Sequence, residues 1–182
     1  YYDSKIPLFD KYKIEQEIYN IGSSNVKLKS GGSIVIEQTE ALVAIDVNSG
    51  KYRGQDNAEK TALKINLEAA SEISRQLKLR DMGGLIICDF IDMREEKNRR
   101  LVEKEFRDHM RTDRARTKIL RISAFGLIEM TRQRMRPSIA TSTYLKCPCC
   151  NGTGSIKNYE SMAIEILRLL SLACGKEEIS KI

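Results

Sequence analysis

Gly84-Leu85-Ile86-Ile87-Cys88-Asp89-Phe90-Ile91-Asp92 is a buried-looking strand that closes on carboxylates. Upstream, Ala41-Leu42-Val43-Ala44-Ile45-Asp46-Val47-Asn48 has the same character and also delivers an aspartate. Between the two runs a helical pattern extends from about Asp56 to Arg80. Strand, helix, strand is a crossover unit, which predicts parallel strands and a right-handed connection. Both strands then open on one edge of the sheet, where such sheets place ligands. Side chains alternate along a strand, so Asp46 shares a face with Asn48, and Asp89 shares one with Ile87 and Ile91. If the strands are neighbours, Asp46 and Asp89 sit side by side. Adjacent carboxylates repel unless a cation or a proton intervenes, which points to a divalent metal site.

Mg²⁺ suits such a pair, because it takes one or two protein carboxylates and fills its shell with water and phosphate oxygens. Asn48 is placed either to hold Asp46 by a hydrogen bond or to bind a metal water. The competing explanation is structural: one aspartate caps a helix and the other pairs with an arginine. Asp92 has the opposite strand parity from Asp89, and a capping box with Glu95 accounts for it.

Working outward, Ile6 to Ile21 reads as one helix stopped by Gly22-Ser23-Ser24-Asn25. Val26 to Lys29 is a short strand candidate, and Ser33 to Glu37 forms a hairpin with Ala41 to Asn48. Asp56 and Glu59 make a capping box for the crossover helix, whose stripe of Ala58, Ala62, Ile65, Ala69, Ile73 and Leu77 faces the sheet. A charged helix follows Asp92 through about Thr112, then strands over Thr117 to Ser123 and Phe125 to Arg134. Pro137 to Thr143 reads as a linker, and a last helix runs from Glu160 to Cys174. The fold class is α/β (α+β): a mixed sheet with flanking helices, then a cysteine-bearing loop and a C-terminal helix.

The chain has 182 residues and a net charge of +6, unevenly placed. Arg94 to Arg136 holds 14 basic and 7 acidic residues, a net of +7, while the rest carries −1. A polyanion fits that block as well as a solvated helix face does. Arg111, Arg114, Arg116, Lys118 and Arg121 surround a helix-to-strand junction, and Arg132, Arg134 and Arg136 follow Phe125. Phosphate contact is their functional reading. A single histidine, His109, excludes a metal-free RNA cleavage by two histidines, and no phosphate-binding glycine loop or nucleophile elbow appears. Phosphodiester chemistry here needs a metal. No apolar run reaches membrane-spanning length, and the start does not read as a signal peptide. The absence of an initiator Met suggests a piece of a longer protein.

Cys147-Pro148-Cys149-Cys150-Asn151-Gly152-Thr153-Gly154 offers a C-x-x-C pair, Cys147 and Cys150, in a glycine-rich turn. A structural zinc site needs four ligands, and Cys88 and Cys174 lie in a strand and a helix. Either the pair binds nothing, or two chains each supply half a site. The five cysteines suit a reducing compartment better than a disulfide framework.

Several stretches together resemble the catalytic region of the ribonuclease E/G family. They are Ser30-Gly31-Gly32-Ser33-Ile34-Val35-Ile36, Thr39-Glu40-Ala41-Leu42, Ala44-Ile45-Asp46-Val47-Asn48, Asn66-Leu67-Glu68-Ala69-Ala70, Arg75 to Asp81 and Gly83 to Met93. Phe125 to Arg134 and the Cys-Pro-x-Cys-x-Gly-x-Gly element complete the match, in order, over nearly the whole chain. The resemblance implies a cytoplasmic bacterial endoribonuclease that cuts single-stranded RNA in RNA processing and decay. It leaves 5′-phosphate and 3′-hydroxyl ends. It implies one Mg²⁺ on Asp46 and Asp89 with Asn48 in support, in a deoxyribonuclease-I-like subdomain. It implies a Zn²⁺ on Cys147 and Cys150 shared by two chains as a zinc link, and dimers that pair into tetramers. From the basic block, RNA contacts are expected of Arg114, Arg116, Lys118, Arg132 and Arg134, and the resemblance adds that Arg116 lies near a pocket sensing a 5′-monophosphate. The implied organisation is a connector over 1–22, the catalytic subdomain over 23–136, linker and zinc link over 137–158, and the start of a small domain over 159–182. Family members carry an S1-type RNA-binding domain and an RNase-H-like subdomain ahead of this region. The present chain begins after both, so weak RNA binding is expected of it alone. The alternative function is a non-catalytic, zinc-clamped RNA-binding or oligomerisation module.

Overall fold

A computed structural model describes residue 2 and residues 5–50, 58–136, 147–150, 152 and 154–174. The chain divides into two compact units, Tyr1–Thr143 and Tyr144–Ile182. In chain order the first holds helices α1 (Leu8–Lys11) and α2 (Ile14–Ile21), strands β1 (Asn25–Lys27), β2 (Ser33–Gln38) and β3 (Leu42–Asn48), and helix α3 (Ala58–Leu79). Strand β4 (Gly84–Asp89), helix α4 (Glu96–Met110), and strands β5 (Thr117–Ile119) and β6 (Leu127–Arg132) follow.

One six-stranded sheet runs β1-β2-β3-β4-β6-β5. Strands β3 and β4 are parallel, as the crossover requires, and every other neighbouring pair is antiparallel. The expected hairpin joins β2 to β3. Period-two alternation separates the two faces of the sheet. Ile34, Ile36, Val43, Ile45, Val47, Ile86, Cys88, Ile128 and Met130 are all buried on one of them. Against these lie Ala62, Ile65, Ala69, Ala70, Ile73 and Leu77 of α3, and Val102, Phe106 and Met110 of α4. The alanines let α3 approach closely, and the branched side chains fill the space that remains. Phe106 meets Phe90 edge to face, with ring centroids 6.3 Å apart. On the other face of the sheet Asp46, Asn48, Asp89 and Glu129 are exposed.

The structure departs from the sequence reading in several places. The N-terminal helix is two helices, because Lys13 adopts φ +56° and breaks the hydrogen-bond ladder. The last two strands are shorter than expected, since the chain turns at Ser123–Gly126, where the Ser123 hydroxyl accepts the N–H groups of Phe125 and Leu127. Asp92 is not the cap of α4; Glu95 is its N-cap and makes no side-chain cap bond. Glu59 also reaches a neighbouring helix. Its carboxylate accepts from the N–H groups of Arg94 and Glu95 at 3.0 and 3.2 Å, and from the Asn98 side chain at 2.8 Å. Glu59 therefore caps the neighbouring helix across space, and no short-range pattern encodes that. Asp56 lies outside the described residues, as does the linker.

In the second unit, residues 148–150 form a turn after Cys147, and helix α5 spans Tyr159–Cys174. Asn158 caps α5 through its side-chain oxygen, which accepts the Ser161 N–H at 2.8 Å. Ile164, Leu167, Leu170 and Leu172 are exposed along it.

Candidate active site

Strand register brings the two aspartates together. Asp46 pairs with Asp89 across the β3–β4 ladder, and the row continues to Val35 on β2 and Leu127 on β6. Neighbouring strands lie about 4.8 Å apart, so both carboxylates spring from one edge within reach of a common ion. Both are exposed on the face away from the helices. The Asn48 amide donates to Asp46 Oδ2 at 2.7 Å and so orients that carboxylate. Desolvation, and then the charges of Asp46 and Asp92, hold the Asp89 carboxyl above its usual range. Among the described residues no arginine or lysine neutralises the pair by an ion pair. That donor set suits a hard divalent cation. Among the described residues no group of three or more His, Cys, Asp or Glu is placed to hold a metal ion. An ion on the pair would then complete its shell with water and substrate oxygens.

The rim beyond Asp89 is held from behind. The Phe90 N–H donates to the Gly126 carbonyl at 3.3 Å, and Gly126 (φ +79°) lies so close that a Cβ there would sit 2.9 Å from the Phe90 oxygen. On the other strand, a Cβ at Gly32 would come within 2.8 Å of the Asn48 carbonyl. The preceding turn is tied to α3 by Glu68, whose carboxylate accepts the N–H groups of Lys29 and Ser30. Asn66 grips Ile91 by both backbone groups. No local pattern marks Glu68 or Gly126 for these tasks; for Asn66 the one signal is a polar side chain set among the apolar positions of α3.

The basic residues separate into two kinds. Arg114, Arg116, Lys118 and Arg134 are exposed. Arg114 lines an open cavity of about 760 Å³ together with Lys78, Met135 and Arg136. Arg134 packs over Gly83 and donates to its carbonyl at 3.3 Å. The structure gives Arg132 a different task. It is 5% exposed, and its guanidinium donates to Asp113 at 2.8 and 3.2 Å, to Asp81 at 3.2 Å and to the Met82 carbonyl at 2.7 Å. With four of its five N–H donors engaged inside the protein, Arg132 acts as a structural clamp beneath the cavity that Arg114 also lines. His109 is partly exposed on α4 against Glu105, as a surface residue should be.

Cys147 and Cys150 form no disulfide. The backbone N–H of Cys150, and then that of Cys149, point at the Cys147 sulfur and hold its thiol below the usual range. Such N–H groups favour the thiolate, the form that binds zinc. Cys88 is the opposite case: burial pushes its thiol up to about 12.

The architecture so far is that of an α/β domain with an acidic strand-end site, followed by a separate unit with a cysteine-bearing turn. Comparison with known proteins gives the family. The model described as Ribonuclease E/G family matches residues 1–135, and that described as RNase E/G, Thioredoxin-like domain matches residues 146–182. The chain is 50% identical over 181 residues to ribonuclease E of Haemophilus influenzae and 49% identical over 181 residues to ribonuclease E of Escherichia coli K12. It is 42% identical over 168 residues to ribonuclease G of Escherichia coli K12. All of the chain is covered in the first two matches and 92% in the third. This chain belongs to the ribonuclease E/G family. It spans 19%, 17% and 34% of the lengths of those three relatives. Among the described residues no helix is long and apolar enough to cross a membrane.

Proposed function

We propose that this chain is the catalytic region of an endoribonuclease, with Asp46 and Asp89 holding one Mg²⁺ and Asn48 orienting Asp46. The observation that carries the reading is the parallel register that sets the two carboxylates side by side. The names and similarity of its relatives support ribonuclease activity. When bound, the cation supplies Lewis acidity toward a phosphate oxygen and lowers the pKa of a water, the two effects that phosphodiester hydrolysis needs near neutral pH. The protein's own part is to keep both carboxylates close, to orient Asp46 through Asn48, and to hold the RNA backbone. Water adds at phosphorus and the P–O3′ bond breaks, leaving 3′-hydroxyl and 5′-phosphate ends. Arg114, Arg116, Lys118 and Arg134 supply phosphate contacts to single-stranded RNA, with Arg116 toward the 5′ end.

In this reading residues 23–136 are the catalytic subdomain, 1–22 a connector, 137–158 the linker and zinc link, and 159–182 the start of a small domain. Cys147 and Cys150 give two thiolates to a zinc whose other two come from a second chain, and the dimers pair into tetramers. Its compartment is the bacterial cytoplasm, where thiols stay reduced. The decisive experiment is Asp89→Asn in the intact enzyme. Mg²⁺-dependent cutting of single-stranded RNA disappears while the unfolding midpoint holds or rises, since one of two repelling charges is gone. Cutting at the wild-type rate would defeat the assignment and leave the zinc-clamped RNA-binding module in its place.

A further inference from the structure

Helix α3 reaches the acidic rim through a side chain that its apolar stripe does not need. Asn66 is 0% exposed, an amide set among the Ala and Ile side chains that pack on the sheet. Its Nδ2 donates to the Ile91 carbonyl at 2.8 Å, and its Oδ1 accepts the Ile91 N–H at 3.0 Å. Ile91 lies two residues past Asp89 and one before Asp92. The β4 ladder ends at Asp89, opposite Leu127. Beyond that point the backbone is held by the long Phe90-to-Gly126 bond and by Asn66. One buried amide that pairs both backbone groups of a single residue does there what a neighbouring strand does elsewhere. Glu59, two turns earlier on the same helix, ties down Arg94 and Glu95 and closes the far end of the segment.

These contacts oppose an electrostatic push. Asp46 and Asp89 repel each other, and nothing covalent keeps Asp89 beside its neighbour. Its carboxylate is held through its own backbone: by the ladder up to Asp89, and past it by the Phe90-to-Gly126 bond and the grip on Ile91.

We propose that Asn66 is a positioning residue for Asp89. By holding Ile91 it keeps the Asp89 carboxylate next to that of Asp46 and thereby sets the affinity for a divalent cation. The inference rests on the assignment of Asp46 and Asp89 as the cation's ligands.

The test is a Mn²⁺ titration of the intact enzyme, reading free Mn²⁺ by electron paramagnetic resonance, with Mn²⁺ alone as the probe. Asp89→Asn checks the premise and loses Mn²⁺ binding; if it binds as the wild type does, the cation assignment itself fails, whatever Asn66 does. Asn66→Leu removes both bonds to Ile91 at similar volume and weakens Mn²⁺ about 10- to 100-fold, the range for residues that orient a metal ligand. Ile73→Ala, in the same helix but facing only the core, lowers Tm and keeps the wild-type affinity. A merely structural Asn66 would behave like Ile73, so an Asn66→Leu affinity equal to that of the wild type or of Ile73→Ala overturns the proposal. Should Asn66→Leu not fold, Asn66→Ala decides. Faster hydrogen exchange at the Ile91 amide together with weaker Mn²⁺ binding supports the proposal, and unchanged binding overturns it.

Discussion

Replacing Asp113 by alanine tests the claim that Arg132 is a clamp. The two side chains are 3% and 4% exposed, so the pair is fully inside the protein. The substitution removes two charge-assisted hydrogen bonds to Arg132, at 2.8 and 3.2 Å, and one from the Ala115 N–H at 3.0 Å, and leaves the guanidinium with Asp81 at 3.2 Å and the Met82 carbonyl. Breaking a buried pair by deleting one partner costs roughly 3–5 kcal/mol, and the surviving contact to the partly exposed Asp81 places this case near the lower end, about 3 kcal/mol. The two bonds to Arg132 alone, at about 1.5 kcal/mol each, give the same figure. For a domain stabilised by roughly 5–15 kcal/mol that is a large share, equivalent to a fall in Tm of about 6–12 °C. Urea unfolding followed by circular dichroism measures it, with an unchanged slope expected. The charge also has a pH signature. Burial works against the Asp113 carboxylate, but the Arg132 bonds outweigh it and hold the group below its usual range. A depressed folded pKa means that the contribution is complete at neutral pH and is lost as pH falls below about 4. Asp113→Ala should therefore flatten the acid side of the stability profile. A loss under about 1 kcal/mol, or an Arg132→Met variant that weakens RNA binding with unchanged stability, would refute the clamp.

Two further outcomes are expected. Glu59→Gln should cost about 1 kcal/mol, the usual worth of a helix cap. Hydrogen bonding by Asn98, and then by the Arg94 N–H, holds the Glu59 carboxyl low, so its contribution too is present at neutral pH and fades in acid below about pH 4.5. Thermal melts of both chains between pH 3 and 7 check it; melting curves that stay parallel across that range would contradict it. For the cysteine-bearing turn, zinc analysis combined with sedimentation should find one zinc per two chains, and Cys150→Ser should leave metal-free monomers. One zinc per monomer would rule out a shared site.

The acid pair was legible in the sequence because strand periodicity and the crossover rule are local and topological constraints. Once Ala41–Asn48 and Gly84–Asp92 are strands joined by a helix, parallel pairing follows, and with it the proximity of Asp46 and Asp89. Burial of Ile34, Ile45, Ile86 and the α3 stripe was readable for the same reason. What the sequence could not disclose were partnerships between residues far apart in the chain. Arg132 looked like one more member of a basic block until folding brought Asp81 and Asp113 to it. Glu59 reads as part of a local capping box, with no sign that it also holds the start of α4, and Asn66 reads as an ordinary helix residue until Ile91 lies against it. A side chain's period along an element says which face it occupies; only the packed structure says which backbone group or counter-charge waits on that face.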